Sequence, residues 1–435
     1  MQRLSKDTLS STLAATGNSR QTGKMCESEY RPRLLHRQTR LSSRPYLALL
    51  CNMQRMSLVL AGIVAMPLTP IAKSQEPAVV PVVNILELSG AGASVGTNME
   101  MGIELAVSEI NSKGGILGRK IAATTFDSQT NVTIARSLAQ RAVDMNAYAV
   151  IGPVFSGSVL ASMVVTRAAE IPNFTGAAAS SITQMGNPYV FRTSLSQEAS
   201  MPRIAAYMRD VMKAHSIAIV WANNDFGKGG RDTLVRQAHL RGMKIVADIP
   251  CELGQVNFAS ETTTLKGARA DVLFPYLNEE ESARLLRQLR AQGYAGRIVG
   301  ESTSVSQKVI ELAGEAANGV IGHVALTADA PEAPMRSFVA KFETRFHVKP
   351  DHNAIAGYMT PYIIKTVTER VGKFDTRAFV QAMKGASLSA KDEPGLLVDL
   401  KYDSKGEPDH HSWIIEVQNG HQVVIAKMPA VRGNR

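Results

Sequence analysis

Cysteine is scarce, with three in 435 residues: Cys26, Cys51 and Cys251. Only Cys251 falls beyond residue 75, so the folded part has no thiol pair for an internal disulfide, and no Cys/His/Asp/Glu set carries metal-ligand spacing. Cys251 reads as a small residue buried at a strand end. No segment supplies the ~20 consecutive apolar residues of a membrane-spanning helix. A basic face for nucleic acid is missing as well. Eleven of the 48 Lys/Arg and three of the 38 Asp/Glu lie in residues 1–74, and residues 75–435 keep 37 against 35. There is no Walker loop, no G-x-S-x-G elbow and no H-E-x-x-H, so nothing nominates an enzyme. Gly90-Ala-Gly92-Ala-Ser-Val-Gly96 imitates a dinucleotide fingerprint, but its third glycine comes one residue late and Asp127 follows Gly90 by 37 residues, against about 20 in the fingerprint. No cofactor is expected; the loop reads as a flexible cover over a ligand cleft.

The N-terminal end accounts for the charge. Ser57–Ile71 is an apolar run of fifteen residues interrupted by Pro67 and Pro70, preceded by Arg55 and followed by Ala72-Lys73-Ser74. A basic start, a short apolar middle and a small-x-small end describe a secretory signal peptide. The reading is a signal peptide over 53–74, cleaved before Gln75, with translation starting at Met53. Residues 1–52, rich in Arg and Ser, then form a non-native or disordered extension.

From Val82 onward, apolar strand-like runs alternate with segments of helical periodicity. The spacing predicts a strand at Val82–Leu88, a helix at Asn98–Lys113 stopped by Gly114-Gly115, and strands at Lys120–Phe126 and Ala147–Gly152. The last is apolar on both faces, as in a parallel sheet. The pattern restarts near residue 200, with strands at Ser216–Trp221, Lys244–Ile249, Asp271–Tyr276 and Gly296–Gly300. Such alternation argues for two α/β, Rossmann-like lobes with parallel-sheet cores. Late helices are expected at Met335–Phe346, Ala354–Arg370 and Thr376–Ala386, and a closing pair of strands at Gly395–Asp403 and His411–Gln418. Glu279-Glu-Glu281 reads as a solvated helix start, and His410-His411 as a solvated turn.

Val150-Ile-Gly-Pro-Val-Phe-Ser156-Gly157-Ser158 carries the most chemistry. A buried strand ends and a helix begins, leaving unpaired N–H groups and a partial positive charge. That end suits a carboxylate, with the Ser156 hydroxyl and the Gly157 N–H as donors. The competing reading is that Ser156 or Ser158 merely caps the helix. A second small-residue loop, Thr175-Gly-Ala-Ala-Ala-Ser180-Ser181, would lie beside it at the carboxyl edge of the sheet, where open α/β sheets bind ligands.

With these stretches, Gly102–Gly118 (GIELAVSEINSKGGILG), Ala149–Pro153, Pro172–Thr183, Val190–Thr193, Ile217–Val220 with Asn224–Lys228, and Phe338–Tyr358, the chain resembles the branched-chain amino-acid binding family of periplasmic proteins, the type I fold. The resemblance implies two lobes joined by three chain crossings near 193–198, 323–329 and 392–397, giving lobe 1 as 82–195 plus 326–394 and lobe 2 as 196–325 plus 395–427. It implies a ligand carboxylate on Ser156, further contacts from Ala177 and either Ala179 or Ser180, an aromatic wall at Phe226 (often Tyr in the family), contacts from Tyr276 to Asn278, and an ammonium partner at Glu301 or Ser302. Val95 stands where an aromatic is common. The implied function is capture of an amino acid, or a related small carboxylate or amide, and its delivery to the membrane permease of an ABC transporter. The protein would work as a periplasmic monomer. A ligand sensor of the same fold is the alternative.

Overall fold

The computed structural model describes residues 79–431. The signal peptide, the start at Met53, Cys26, Cys51 and the 1–52 extension lie outside the described residues. Among those described, no helix is long and apolar enough to cross a membrane.

The first lobe starts with β1 (Val80–Leu86), α1 (Ala93–Ser112), β2 (Ile121–Asp127), α2 (Val132–Asp144), β3 (Ala149–Ile151), α3 (Ser156–Ala168), β4 (Asn173–Thr175), α4 (Ser181–Gln184) and β5 (Val190–Arg192). The strands form one parallel sheet in the order β2-β1-β3-β4-β5. β3 and β4 are buried at every position, which is why their sequences run apolar without alternation. Asn131 fixes the start of α2, its side chain accepting from the N–H groups of Thr133 and Ile134.

The second lobe follows: α5 (Gln197–Ala206), β6 (Ser216–Ala222), α6 (Asp225–Leu240), β7 (Lys244–Cys251), α7 (Ala259–Ala268), β8 (Val272–Tyr276), α8 (Glu279–Ala291), β9 (Val299–Glu301), α9 (Ser302–Val305), α10 (Gln307–Ala313) and β10 (Ile321–Val324). The parallel set β7-β6-β8 joins β9 through a bridge between Leu273 and Ile298. Cys251 ends β7 with 1% exposure, and burial pushes its thiol up to about 12, so it is inert packing.

The chain then returns to the first lobe with α11 (Ala333–Phe346), α12 (His352–Val371) and α13 (Thr376–Met383). α12 lies along α1 at backbone contact: a Cβ on Gly102 would fall 2.0 Å from the Ala354 carbonyl, and one on Gly357 2.2 Å from the Met99 carbonyl. Residues after 395 correct the sequence reading. Leu400–Tyr402 (β12) pairs with Ser387–Leu388 (β11) and Pro408–Asp409 (β13), not with the segment from His411. This small sheet stays on the first lobe, since Arg192 N–H donates to Gly406 and the Tyr402 hydroxyl to the Arg192 carbonyl. The third crossing therefore falls at 409–412 rather than near 392–397. β14 (Ser412–Gln418) instead pairs antiparallel with β10 and with an unanticipated strand, β15 (His421–Met428). Asn419 and Gly420, at φ 51° and 78°, make the hairpin turn, an Asn-Gly signal that selects such turns.

Two further expectations change. Glu279 and Glu281 are each 2% exposed, not solvated, on a helix that also buries Ser282, Ala283, Leu285, Leu286 and Leu289. His410 is also 2% exposed. Its Nδ1 lies 2.6 Å from the His411 carbonyl, and burial pushes its imidazolium down to about 4.

Candidate functional site

A cavity of about 230 Å³ lies between the lobes. Its wall comes largely from the carboxyl ends of parallel strands: residues after β1, β2, β3, β4 and β5 from one side, and after β6, β7, β8 and β9 from the other. Strand ends gather such groups because the loops leaving them carry helix N-termini toward the crevice.

At the first-lobe side α3 opens on this space. Its N-cap is Phe155, which makes no side-chain cap; neither Ser156 nor Ser158 caps the helix, so the helix start keeps donors for an anion. Ser156 is 3% exposed, and its Oγ accepts from the Ala179 N–H at 3.3 Å. The turn before it is held from beneath by Glu87, whose carboxylate accepts from Val154 N–H and Phe155 N–H, both at 3.1 Å. Burial raises the Glu87 carboxyl to about 7 against the lowering effect of these bonds.

The small-residue loop is built on Arg192, fully buried. Its guanidinium donates to the Ala177 and Ala179 carbonyls and pairs with Glu407 at 2.8 Å. Gly176, Ala177 and Ala178 line the cavity. Ala179 and Ser180 do not; they sit behind the wall, and Ser180 N–H donates to Gln197 Oε1 at 3.3 Å. Gln197 Nε2 donates in turn to the Phe226 carbonyl at 2.7 Å and to the Tyr276 hydroxyl at 3.0 Å, tying the loop of one lobe to the aromatics of the other.

Phe226 and Tyr276 stack at 4.3 Å between centroids and both line the cavity, as do Gly157, Glu301, Ser302, Asn278 and Val95. Glu301 and His323 are register partners on neighbouring strands. His323 Nδ1 lies 3.2 Å from Glu301 Oε1, and its Nε2 lies 2.8 Å from Ser412 Oγ. The Glu301 carboxylate is thus held from behind.

The Gly90–Gly96 loop lines the cavity through Ala91, Ser94 and Val95 but is pinned rather than free. Asp127 accepts from Leu88 N–H at 2.9 Å and Ser89 Oγ at 2.6 Å, and Thr130 Oγ1 donates to the Ser89 carbonyl at 2.7 Å. Gly96 serves packing, since a Cβ there would lie 2.1 Å from the Glu87 carbonyl oxygen.

Sequence reasoning missed Gln197, Arg192, Glu87, Glu279 and His352. A signal existed for Glu279, which sits four residues before Ala283 on the apolar face of α8. None existed for Gln197, whose role depends on three distant segments. Among the described residues one group, Glu279, Asp351 and His352, has the proximity to hold a metal ion.

A family model described as "Periplasmic binding protein" matches residues 79–422. The chain belongs to that family. This member is 25% identical over 324 residues to Leu/Ile/Val-binding protein homolog 1 of Brucella abortus, covering 74% of this chain and 86% of that one. It is 27% identical over 264 residues to a Leu/Ile/Val/Thr-binding protein of Salmonella typhimurium, at 60% and 72% coverage. Its fold is that of solved periplasmic binding proteins. A leucine binding protein from Thermotoga maritima superposes with a TM-score of 0.74 at 21% identity, covering 81% of this chain and 99% of the other. A solute binding protein of an ABC transporter from R. palustris, in complex with benzoate, gives 0.74 at 22% identity, with 81% and 98% covered.

Proposed function

We propose that this periplasmic binding protein captures an amino acid, or a related small carboxylate or amide, in the interlobe cavity and delivers it to the permease of an ABC transporter. The observation that carries the reading is the start of α3, opening without a side-chain cap onto a cavity that also holds Ser156 and Gly157. A carboxylate there takes donors from the helix N-terminus and the Ser156 hydroxyl. Phe226 and Tyr276 suit an apolar body, and Glu301, oriented by His323, suits an ammonium. Relatives named for leucine, isoleucine, valine and threonine, and a structural neighbour holding benzoate, support a small carboxylate of either kind. The protein works in the periplasm after export, as a monomer, and releases its ligand unchanged.

A ligand that binds only the folded state raises its melting temperature. Purified residues 75–435, screened against amino acids, aromatic acids and small amides, should be stabilised by members of one class, and the recovered ligand should be chemically intact. No stabilisation by any class, or recovery of a product, would reject the reading.

A further inference from the structure

Asp225, Glu279 and Glu301 line the cavity, and among the described residues no Lys or Arg does. The three carboxylates differ in what they leave open. Asp225 is exposed at the first position of α6. Glu279 has one oxygen on Ser94 Oγ and the other sealed from the cavity. Glu301 is 8% exposed. Its Oε1 lies 3.2 Å from His323 Nδ1, while its Oε2 takes no hydrogen bond from a described residue and is not sealed.

His323 is fully buried and stands behind the cavity wall. Its Nε2 lies 2.8 Å from Ser412 Oγ. The three side chains come from adjacent strands, β9, β10 and β14, and Ser412 is the first residue of β14, where the third crossing enters the second lobe. An ionised carboxylate only accepts. In a neutral ring Nδ1 therefore carries the hydrogen toward Glu301, and Nε2 accepts from the Ser412 hydroxyl. This backing differs from that of Glu407, whose charge Arg192 cancels. A neutral imidazole fixes a carboxylate without cancelling its charge. Held in place before any ligand arrives, with one oxygen open to the cavity, Glu301 is preorganised for a cation.

We propose that His323, anchored on Ser412, is a positioning residue for specificity, which makes the cleft favour ligands that carry a primary ammonium beside their carboxylate. The proposal rests on the reading that this cleft binds an amino acid or a related carboxylate. His323 touches no ligand, and its effect passes through Glu301. Without the Nδ1 donor, Glu301 is free to turn away. An ammonium then loses its partner, and a ligand without one loses nothing.

Calorimetric titration of residues 75–435 tests this with two pairs of probes, leucine with isocaproate and phenylalanine with hydrocinnamate, each pair differing only by the amine. In the unmodified protein at least one amino acid should bind about tenfold or more tighter than its partner. His323→Gln, whose amide reaches toward Ser412 but not Glu301, should narrow that preference to within about threefold by weakening the amino acid alone. His323→Asn, whose amide nitrogen can stand where Nδ1 stands, should retain most of it. Ser412→Ala removes only the anchor and should narrow the preference by about threefold. An undiminished preference in His323→Gln, or equal weakening of both members of a pair, makes His323 structural and overturns the proposal. If the His323 variants do not fold, Ser412→Ala decides alone, and a preference unchanged there overturns it. Isocaproate and hydrocinnamate binding as tightly as their amino acids overturns it and leaves the small-carboxylate reading standing. Binding of none of the four overturns both.

Discussion

Ser156 joins two functions that can be separated by measurement. Its hydroxyl faces the cavity wall and also accepts from the Ala179 N–H. Replacing it by alanine removes a hydrogen bond to a ligand carboxylate, worth ~1.5–3 kcal/mol for a charged partner, so calorimetry should show affinity falling about ten- to hundredfold. Because Phe155 holds the N-cap position, the helix loses no cap. Only the Ala179 N–H loses a partner, and the fall in melting temperature should be small. A large fall with unchanged affinity would make Ser156 a structural residue. Glu87, beneath the same turn, gives a pH signature. Its folded carboxyl titrates at about 7, raised from 4.5 mainly by burial. A raised value means that its contribution is fully present below pH 4.5 and is lost as pH rises through about 7, by up to ~3 kcal/mol. Asp127 and Asp271, held below their usual range chiefly by hydrogen bonds that outweigh burial, act below that window. Denaturant unfolding between pH 4.5 and 7.5 should show declining stability in the native sequence and a flatter profile in Glu87→Gln. Parallel profiles would place the titration elsewhere.

Among the elements, α1 and α12 depend most on single atoms. Gly102→Ala would drive a Cβ into the Ala354 carbonyl, and such overpacking costs ~1–3 kcal/mol, read as a lowered denaturant midpoint. Arg192→Met would leave Glu407 buried without its partner, at ~3–5 kcal/mol, and would free the carbonyls of Ala177 and Ala179; ligand affinity should fall with stability. The alternation of elements was legible in the sequence, because each parallel strand is a short apolar run and each helix bears one apolar face. Ser156 was read from the strand-to-helix sequence and Phe226 and Tyr276 from the family resemblance, and the structure brings all three to the cavity. Ala179 or Ser180 was implied by the family resemblance, and in the structure, with Arg192 bonded to the carbonyls of Ala177 and Ala179, Gly176 to Ala178 meet the cavity. The strands after residue 395 were paired wrongly because β12 is only three residues long and its partners are set by the first lobe's edge, not by its own pattern. The Asn419-Gly420 turn was readable and was passed over, since β15 alternates with exposed positions and lacks the apolar run of the other strands.

At the scale of the whole molecule, the chain passes between lobes three times, and Gln197, just after the first passage, touches both sides of the cleft. Lobes joined this way close on a ligand by hinge motion. Small-angle scattering should show a smaller radius of gyration with ligand than without, and identical curves at saturating ligand would rule out closure. The pairing of α1 with α12 has a further effect, in time rather than in space. A chain emerging N-terminus first makes Gly102 long before Gly357, with most of the second lobe between them. Loop closure over such a span is slow, and folds rich in distant contacts form late. The first lobe cannot finish until nearly all of the polypeptide has been delivered, and the export proposed above, in which a chain is threaded before it folds, would gain from that delay.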